Sequence, residues 1–161
     1  MLYHAWIKSH LVYGILSWGG TFQATLRPLE YVQRHIVRCI LGKKRRDSLG
    51  SAFKDLGLLE FKRLYAFQVL KYIKKNWGNQ DYRFFPRDTR MAKGMFLNNI
   101  CAYKAIVKRH YNYLGSRILN LLPDNLKLIV NRESFTKEMK KWILNCGFFV
   151  RLNRKIGRAH V

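Results

Sequence analysis

The chain has 161 residues, 48% of them hydrophobic and 14% aromatic, which is too apolar for a disordered tail and about one domain's worth of polypeptide. Its 31 Lys and Arg outweigh 9 Asp and Glu to give a net charge of +22, which points to nucleic acid first, an anionic membrane surface second and an acidic protein third. The charge is not held in a tail, since residues 1–80 carry 14 basic and 4 acidic side chains and residues 81–161 carry 17 and 5.

Leu2 to Trp18 has the pattern of one helix that is apolar on most sides. Leu2, Ala5, Trp6, Val12 and Leu16 line one face, and Tyr3, Ile7, Leu11 and Ile15 a second. Such a helix belongs inside a larger body, so its packing partners are expected upstream. Gly19-Gly20 stops it. Pro28 suits the first turn of a second helix that runs to about Leu41, with Leu29, Val32, Gln33, Ile36, Val37 and Ile40 as its core stripe. Gly42 ends that helix, and Lys43-Lys44-Arg45-Arg46 follows directly. A helical turn near Ser51 to Leu56 precedes Gly57 and a third helix from about Glu60 to Lys75. Phe61, Leu64, Tyr65, Gln68 and Tyr72 form its inner face, with Lys62, Lys71, Lys74 and Lys75 outward.

Asn76 to Gly94 is irregular and marks a boundary between two subdomains. The pattern over 95–113 fits a helix or a strand pair equally well. Ser116 to Leu122 suits a short helix ended before Pro123, and Ser134 suits the N-cap of a last helix to Asn145. Phe135, Met139, Trp142 and Ile143 would point inward on it, and Lys137, Lys140 and Lys141 outward. The expected fold is mainly α: a helical bundle over 1–75, an irregular linker over 76–94, a smaller C-terminal subdomain over 95–150, with a short strand pair as one of its two forms, and a tail over 151–161.

Cys39, Cys101 and Cys146 have neither disulfide-framework nor zinc-site spacing, and are expected as buried free thiols in a reducing, intracellular compartment, nuclear or cytoplasmic. No basic n-region opens the chain, and the charge-free stretch Ser9 to Leu26 holds Gly, Thr and Gln, so neither a secretory signal nor a membrane span is expected. Catalytic constellations are missing from the pattern. Gly42-Lys43 lacks the glycine that a phosphate-cradling loop needs five residues earlier, where Val37 stands. No two carboxylates lie within four positions of each other, whereas a two-metal site needs them clustered. Glu133 and Glu138 are expected as charge partners of Arg132 and Lys137. His4, His10, His35 and His110 have no ligand spacing and are expected as core residues.

The positive signal is electrostatic. Tyr31, Arg34 and Arg38 share a helix face, and Lys43, Lys44, Arg45 and Arg46 extend its cations beyond the helix end. Such an array can follow a phosphate backbone, with the ring free to pack on sugar or base; the alternative is a solvated helix face with a basic turn. Phe84 and Phe85 among Arg83, Arg87 and Arg90 form a weaker array of the same kind, for which a loop pinned by its own aromatics is the simpler reading.

The run Leu2 to Leu11, with Tyr13-Gly14 and Trp18-Gly19-Gly20, resembles the region after the polymerase core in reverse transcriptases of non-LTR retrotransposons, the LINE class and jockey-like elements in particular. Leu29 to Arg34 with Arg38 and Ile40, Phe53 to Leu59 with Leu64-Tyr65, Asn120 to Pro123 with Leu126, and Phe135 to Leu144 agree in order and spacing, so the likeness covers about residues 2–145. The resemblance implies the thumb and post-thumb part of an RNA-directed DNA polymerase. Its partners would be RNA, an RNA–DNA hybrid and the upstream fingers and palm, with no membrane. Arg34 and Arg38 would occupy the basic positions of the family's Q-R-x-x-x-R helix. The parent enzyme would use Mg, but no Asp-Asp pair occurs here, so this part holds no cofactor and is expected to be inactive alone. A free-standing basic helical nucleic-acid-binding module and a decayed, non-functional element copy are the other readings. Residues 156–161 resemble the translation of a sequencing adapter and are expected not to belong to the natural chain.

Overall fold

The computed structural model describes residues 3–76 and 104–145, and the described residues are mainly helical with no strand among them. A π-helical segment, Tyr3–Lys8, runs into α1 (Ser9–Val12) and is followed by α2 (Ile15–Trp18), α3 (Gln23–Ile40), α4 (Ala52–Asp55) and α5 (Phe61–Lys75). After the undescribed stretch come α6 (Ala105–Arg109), α7 (Tyr111–Asn120), α8 (Asp124–Lys127) and α9 (Arg132–Asn145). Residues 104–113 are therefore helical in large part, while residues 95–103, the linker over 77–94 and the tail lie outside the described residues.

The centre of the molecule is α5. Phe61, Leu64, Ala66, Val69, Leu70 and Ile73 are nearly solvent-free, and Tyr65 and Phe67 are buried with them. A helix apolar on so much of its circumference must be enclosed by others, and here α1, α2, α7 and α9 surround it. One core runs from Leu11 and Ile15 through α5 to Ile118, Leu119, Phe135, Met139 and Ile143, so the parts before and after the undescribed stretch share it. The α5–α7 crossing is close because α7 presents Gly115: a Cβ there would lie 3.0 Å from Val69 Cγ1 and would overlap Ile73. A smaller cluster of Tyr3, Val37, Leu49, Ala52, Phe53 and Leu58 joins the N-terminal segment to α3 and α4.

The N-terminal segment is not one straight helix. Tyr13 is extended and Gly14 is left-handed at φ 61°, which turns the chain between α1 and α2. The Trp18 indole Nε1 donates to the Tyr13 carbonyl at 2.9 Å, and the Trp18 ring stacks on Phe61 at 5.4 Å. Gly19 and Gly20 lie where side chains would meet the Tyr65 ring and the Arg109 carbonyl. The Y-G-x-x-x-W-G pattern thus has a packing role here. Of the two apolar faces, Tyr3, Leu11 and Ile15 are buried, whereas Ala5 is exposed and Trp6 is 66% exposed. The face that packs inward is therefore the Tyr3, Leu11, Ile15 row, with Ile7 half-buried on it.

Helix α3 begins a turn earlier than Pro28 suggests, at Gln23, because that extra turn carries Leu26 into the core. Pro28 is the sixth residue, where only one internal hydrogen bond is forgone. The α3 stripe is narrower than its sequence implies: Gln33 and Val37 are buried, but Val32 and Ile40 are each 52% exposed. The helix ends as expected at Gly42, left-handed at φ 63°, with the Lys43 amide donating to the Arg38 carbonyl at 2.9 Å. Helix α9 starts at Arg132, earlier than a Ser134 cap requires, since the Asn131 Oδ1 accepts from the Glu133 amide at 2.9 Å. Cys39 is an exposed thiol, not a buried one, and Cys101 and Cys146 lie outside the described residues. His4, His10, His35 and His110 are likewise on the surface.

Candidate nucleic-acid interface

The anchor of this face is Gln33, which is only 2% exposed. Its Nε2 donates to the Tyr3 hydroxyl at 2.7 Å and to the Leu59 carbonyl at 2.9 Å, and its Oε1 accepts from the Phe61 amide at 2.8 Å. Phe61 opens α5, so one side chain of α3 satisfies a free amide at the α5 N-terminus and ties in the N-terminal segment. This fixes the rotation of α3 and thereby which residues face out. The Tyr3 hydroxyl, shielded from water, is pushed above the usual phenol range, with its Gln33 bond opposing that shift.

Opposite Gln33, Arg27, Tyr31, Arg34 and Arg38 step along α3 by four, three and four positions, which places them on one face. Tyr31 is 51% exposed and stacks parallel to His35 at 6.4 Å. The Arg34 guanidinium stands 3.9 Å from Glu60, with both side chains substantially in solvent. Arg38 Nε donates to the Asp47 carbonyl at 3.4 Å, so this side chain leans along the helix end. Lys43 to Arg46 are all exposed; Lys43 Nζ donates to the Ser48 carbonyl at 3.3 Å, and the Lys44 amide to the Asp47 carboxylate at 2.8 Å. Asp47 therefore folds the basic turn back on itself. The structure brings Tyr31, Arg34 and Arg38 onto one surface, with Lys43, Lys44, Arg45 and Arg46 at its C-terminal edge. Cations are electrostatically well placed there, beside the negative end of the α3 dipole.

A second basic surface lies at α2, α5 and α9, where sequence reasoning expected only outward lysines. Lys71, Lys74, Lys75 and Arg132 rim a cavity of about 280 Å³ walled by Leu16, Tyr72 and Phe135. Lys74 is half-buried, its Nζ donating to the Lys127 carbonyl at 3.2 Å and lying 5.1 Å from the Phe135 ring centre. Burial lowers its pKa. Lys8 is also lowered, by burial and then by Lys140 and Lys71, and His4 by burial, Lys8 and Lys140. The missed signal was spatial, because Lys8, Lys71 and Lys140 come from three distant parts of the chain. Among the described carboxylates, Glu138 pairs with Lys141 at 2.7 Å, not with Lys137, Glu30 with Lys62 at 3.8 Å, and Asp124 with the buried Lys127 at 2.8 Å.

The Phe84 and Arg83 to Arg90 array lies outside the described residues. Among the described residues no group of three or more His, Cys, Asp and Glu comes together to hold a metal ion, and no helix is long and apolar enough to cross a membrane. No family model, curated protein or solved structure matches the chain.

Proposed function

We propose that this chain grips nucleic acid through its sugar-phosphate backbone, using the Tyr31, Arg34, Arg38 face of α3 and the Lys43 to Arg46 turn, as the thumb and post-thumb part of a non-LTR retrotransposon reverse transcriptase. The observation that carries the binding reading is that these seven side chains lie along one helix face and its C-terminal turn, and that among the described residues only Arg34 is within ion-pair distance of a carboxylate, at 3.9 Å, while the Asp47 carboxylate in the turn is held by the Lys44 amide. Backbone contacts are the right kind for a polymerase, which must hold every sequence alike. The polymerase reading rests on the sequence resemblance, and Trp6 and Tyr13, 66% and 85% exposed, are apolar surface that upstream domains would cover. The Mg of the parent enzyme would belong to those domains. A free-standing binding module is the second reading, favoured by the shared core that α1, α2, α5, α7 and α9 close among themselves.

The test is salt-dependent binding of a short RNA–DNA hybrid. In Arg34→Ala/Arg38→Ala the slope of log K against log salt should flatten by roughly one to two, with little dependence on sequence. Glu60→Gln, which frees Arg34, should strengthen binding slightly. An unchanged slope in a folded double variant would make this face an ordinary solvated surface.

A further inference from the structure

We infer that the cavity between α2, α5 and α9 is a second nucleic-acid site, one that takes an unpaired nucleotide with its base against Tyr72 and its phosphates on Lys71, Lys75 and Arg132. The ligand class rests on the nucleic-acid reading above, but the surface is separate from α3 and is argued from its own geometry.

Four cations, Lys71, Lys74, Lys75 and Arg132, converge on one opening with no carboxylate among the lining residues. The Lys71 and Lys75 ammonium groups have no ion-pair or hydrogen-bond partner among the described residues, and the Arg132 guanidinium donates to the Lys75 carbonyl at 3.3 Å. Uncompensated like charges oppose one another, so their arrangement suits an anion between them. The interior is mostly apolar, walled by Leu16, Tyr72 and Phe135 beside Gln68 and Thr136; Phe135 is 1% exposed and has Lys74 Nζ over its ring, so half-buried Tyr72 is the ring that a base can reach. A volume of about 280 Å³ is at the small end of ligand sites, the scale of one flat ring system rather than of a helix or a duplex. An apolar aromatic slot with a cationic rim is the combination by which single strands are held, with bases stacked on rings and phosphates on Lys and Arg. The base in a duplex is already stacked and paired, so only an unpaired nucleotide can enter. The basic rim also continues: burial, then the charges of Lys140 and Lys71, depress the Lys8 pKa, so these cations neighbour one another and give the adjacent phosphate a landing place.

The experiment measures anisotropy of a labelled oligothymidylate of about ten nucleotides, and of the fully abasic strand of equal length, with the full chain. The abasic strand keeps the phosphates and removes the rings, so it needs no variant that might fail to fold. The expected result is about tenfold weaker binding of the abasic strand. Tyr72→Leu should lose the same factor on the normal strand and nothing further on the abasic one, with hybrid affinity unchanged. Lys71→Glu/Lys75→Glu should weaken both strands by tenfold or more (about two phosphate contacts reversed). Equal binding of normal and abasic strands would overturn the site, and so would preference for phosphatidylserine vesicles over the strand. Hybrid binding that needs Arg34 and Arg38, combined with no base-dependent single-strand binding, refutes this inference alone. Base-dependent binding that survives Arg34→Ala/Arg38→Ala, with an unchanged hybrid slope, refutes the α3 reading instead.

Discussion

Replacing Gln33 by Met tests whether the orientation of α3 is set as described. Methionine matches the length of glutamine, so the change removes polar partners without opening a large cavity. It strips the Phe61 amide and the Leu59 carbonyl of the bonds they make at 2.8 and 2.9 Å, and leaves the Tyr3 hydroxyl without its donor. Each buried group left unpaired costs about 1–3 kcal/mol, and the thioether recovers roughly 1–2 kcal/mol of apolar burial. With three groups unpaired, the expected net loss is about 1–8 kcal/mol, a large share of the roughly 5–15 kcal/mol that holds a domain together. Urea unfolding followed by far-UV circular dichroism reads it, with the slope against denaturant unchanged. Arg34→Ala, one residue along and half in solvent, should cost less than about 0.5 kcal/mol in the same assay. A double-mutant cycle with Tyr3→Phe should show coupling of about 0.5–2 kcal/mol, since the two side chains share a bond. A loss below about 1 kcal/mol for Gln33→Met would show that the network does not hold α3 in place.

Tyr65 is 8% exposed and its hydroxyl has no hydrogen-bond partner among the described residues, so Tyr65→Phe should be neutral or stabilise by about 1 kcal/mol at neutral pH. Burial pushes the Tyr65 phenol up to about 12 from 10. The unfolded chain therefore ionises first, and the folded form loses roughly 2–3 kcal/mol between pH 10 and 12 from this group. Thermal unfolding should show that alkaline decline reduced by this amount in Tyr65→Phe; an equal decline in both proteins would refute the assignment. Gly115→Ala should destabilise by about 1–2 kcal/mol in thermal unfolding, because overpacking against Val69 and Ile73 outweighs the roughly 1 kcal/mol gained in helix propensity. A more stable Gly115→Ala protein would mean that α5 and α7 cross less closely than described.

The amino-acid order by itself determined the helical class and much of the inner surface of α5 and α9. Phe61, Leu64, Tyr65, Phe135, Met139 and Ile143 recur at helical spacing, and periodic burial is a local property of the chain. It also located the Gly42 stop, because a left-handed C-terminal residue nearly requires glycine. The basic face of α3 was legible for the same reason, since residues four and three apart share a side of any helix. The path between these elements was decided by tertiary packing. Only the docking of Trp18 on Phe61 explains the break at Gly14, and only the core position of Leu26 extends α3 upstream of Pro28. Gln33 looked like one more stripe residue, and its role as the pin between α3 and α5 depends on a carbonyl and an amide 26 and 28 positions away. The cavity under Lys71, Lys75 and Arg132 depends on how α2, α5 and α9 meet, and no spacing rule along one chain brings such distant cations together.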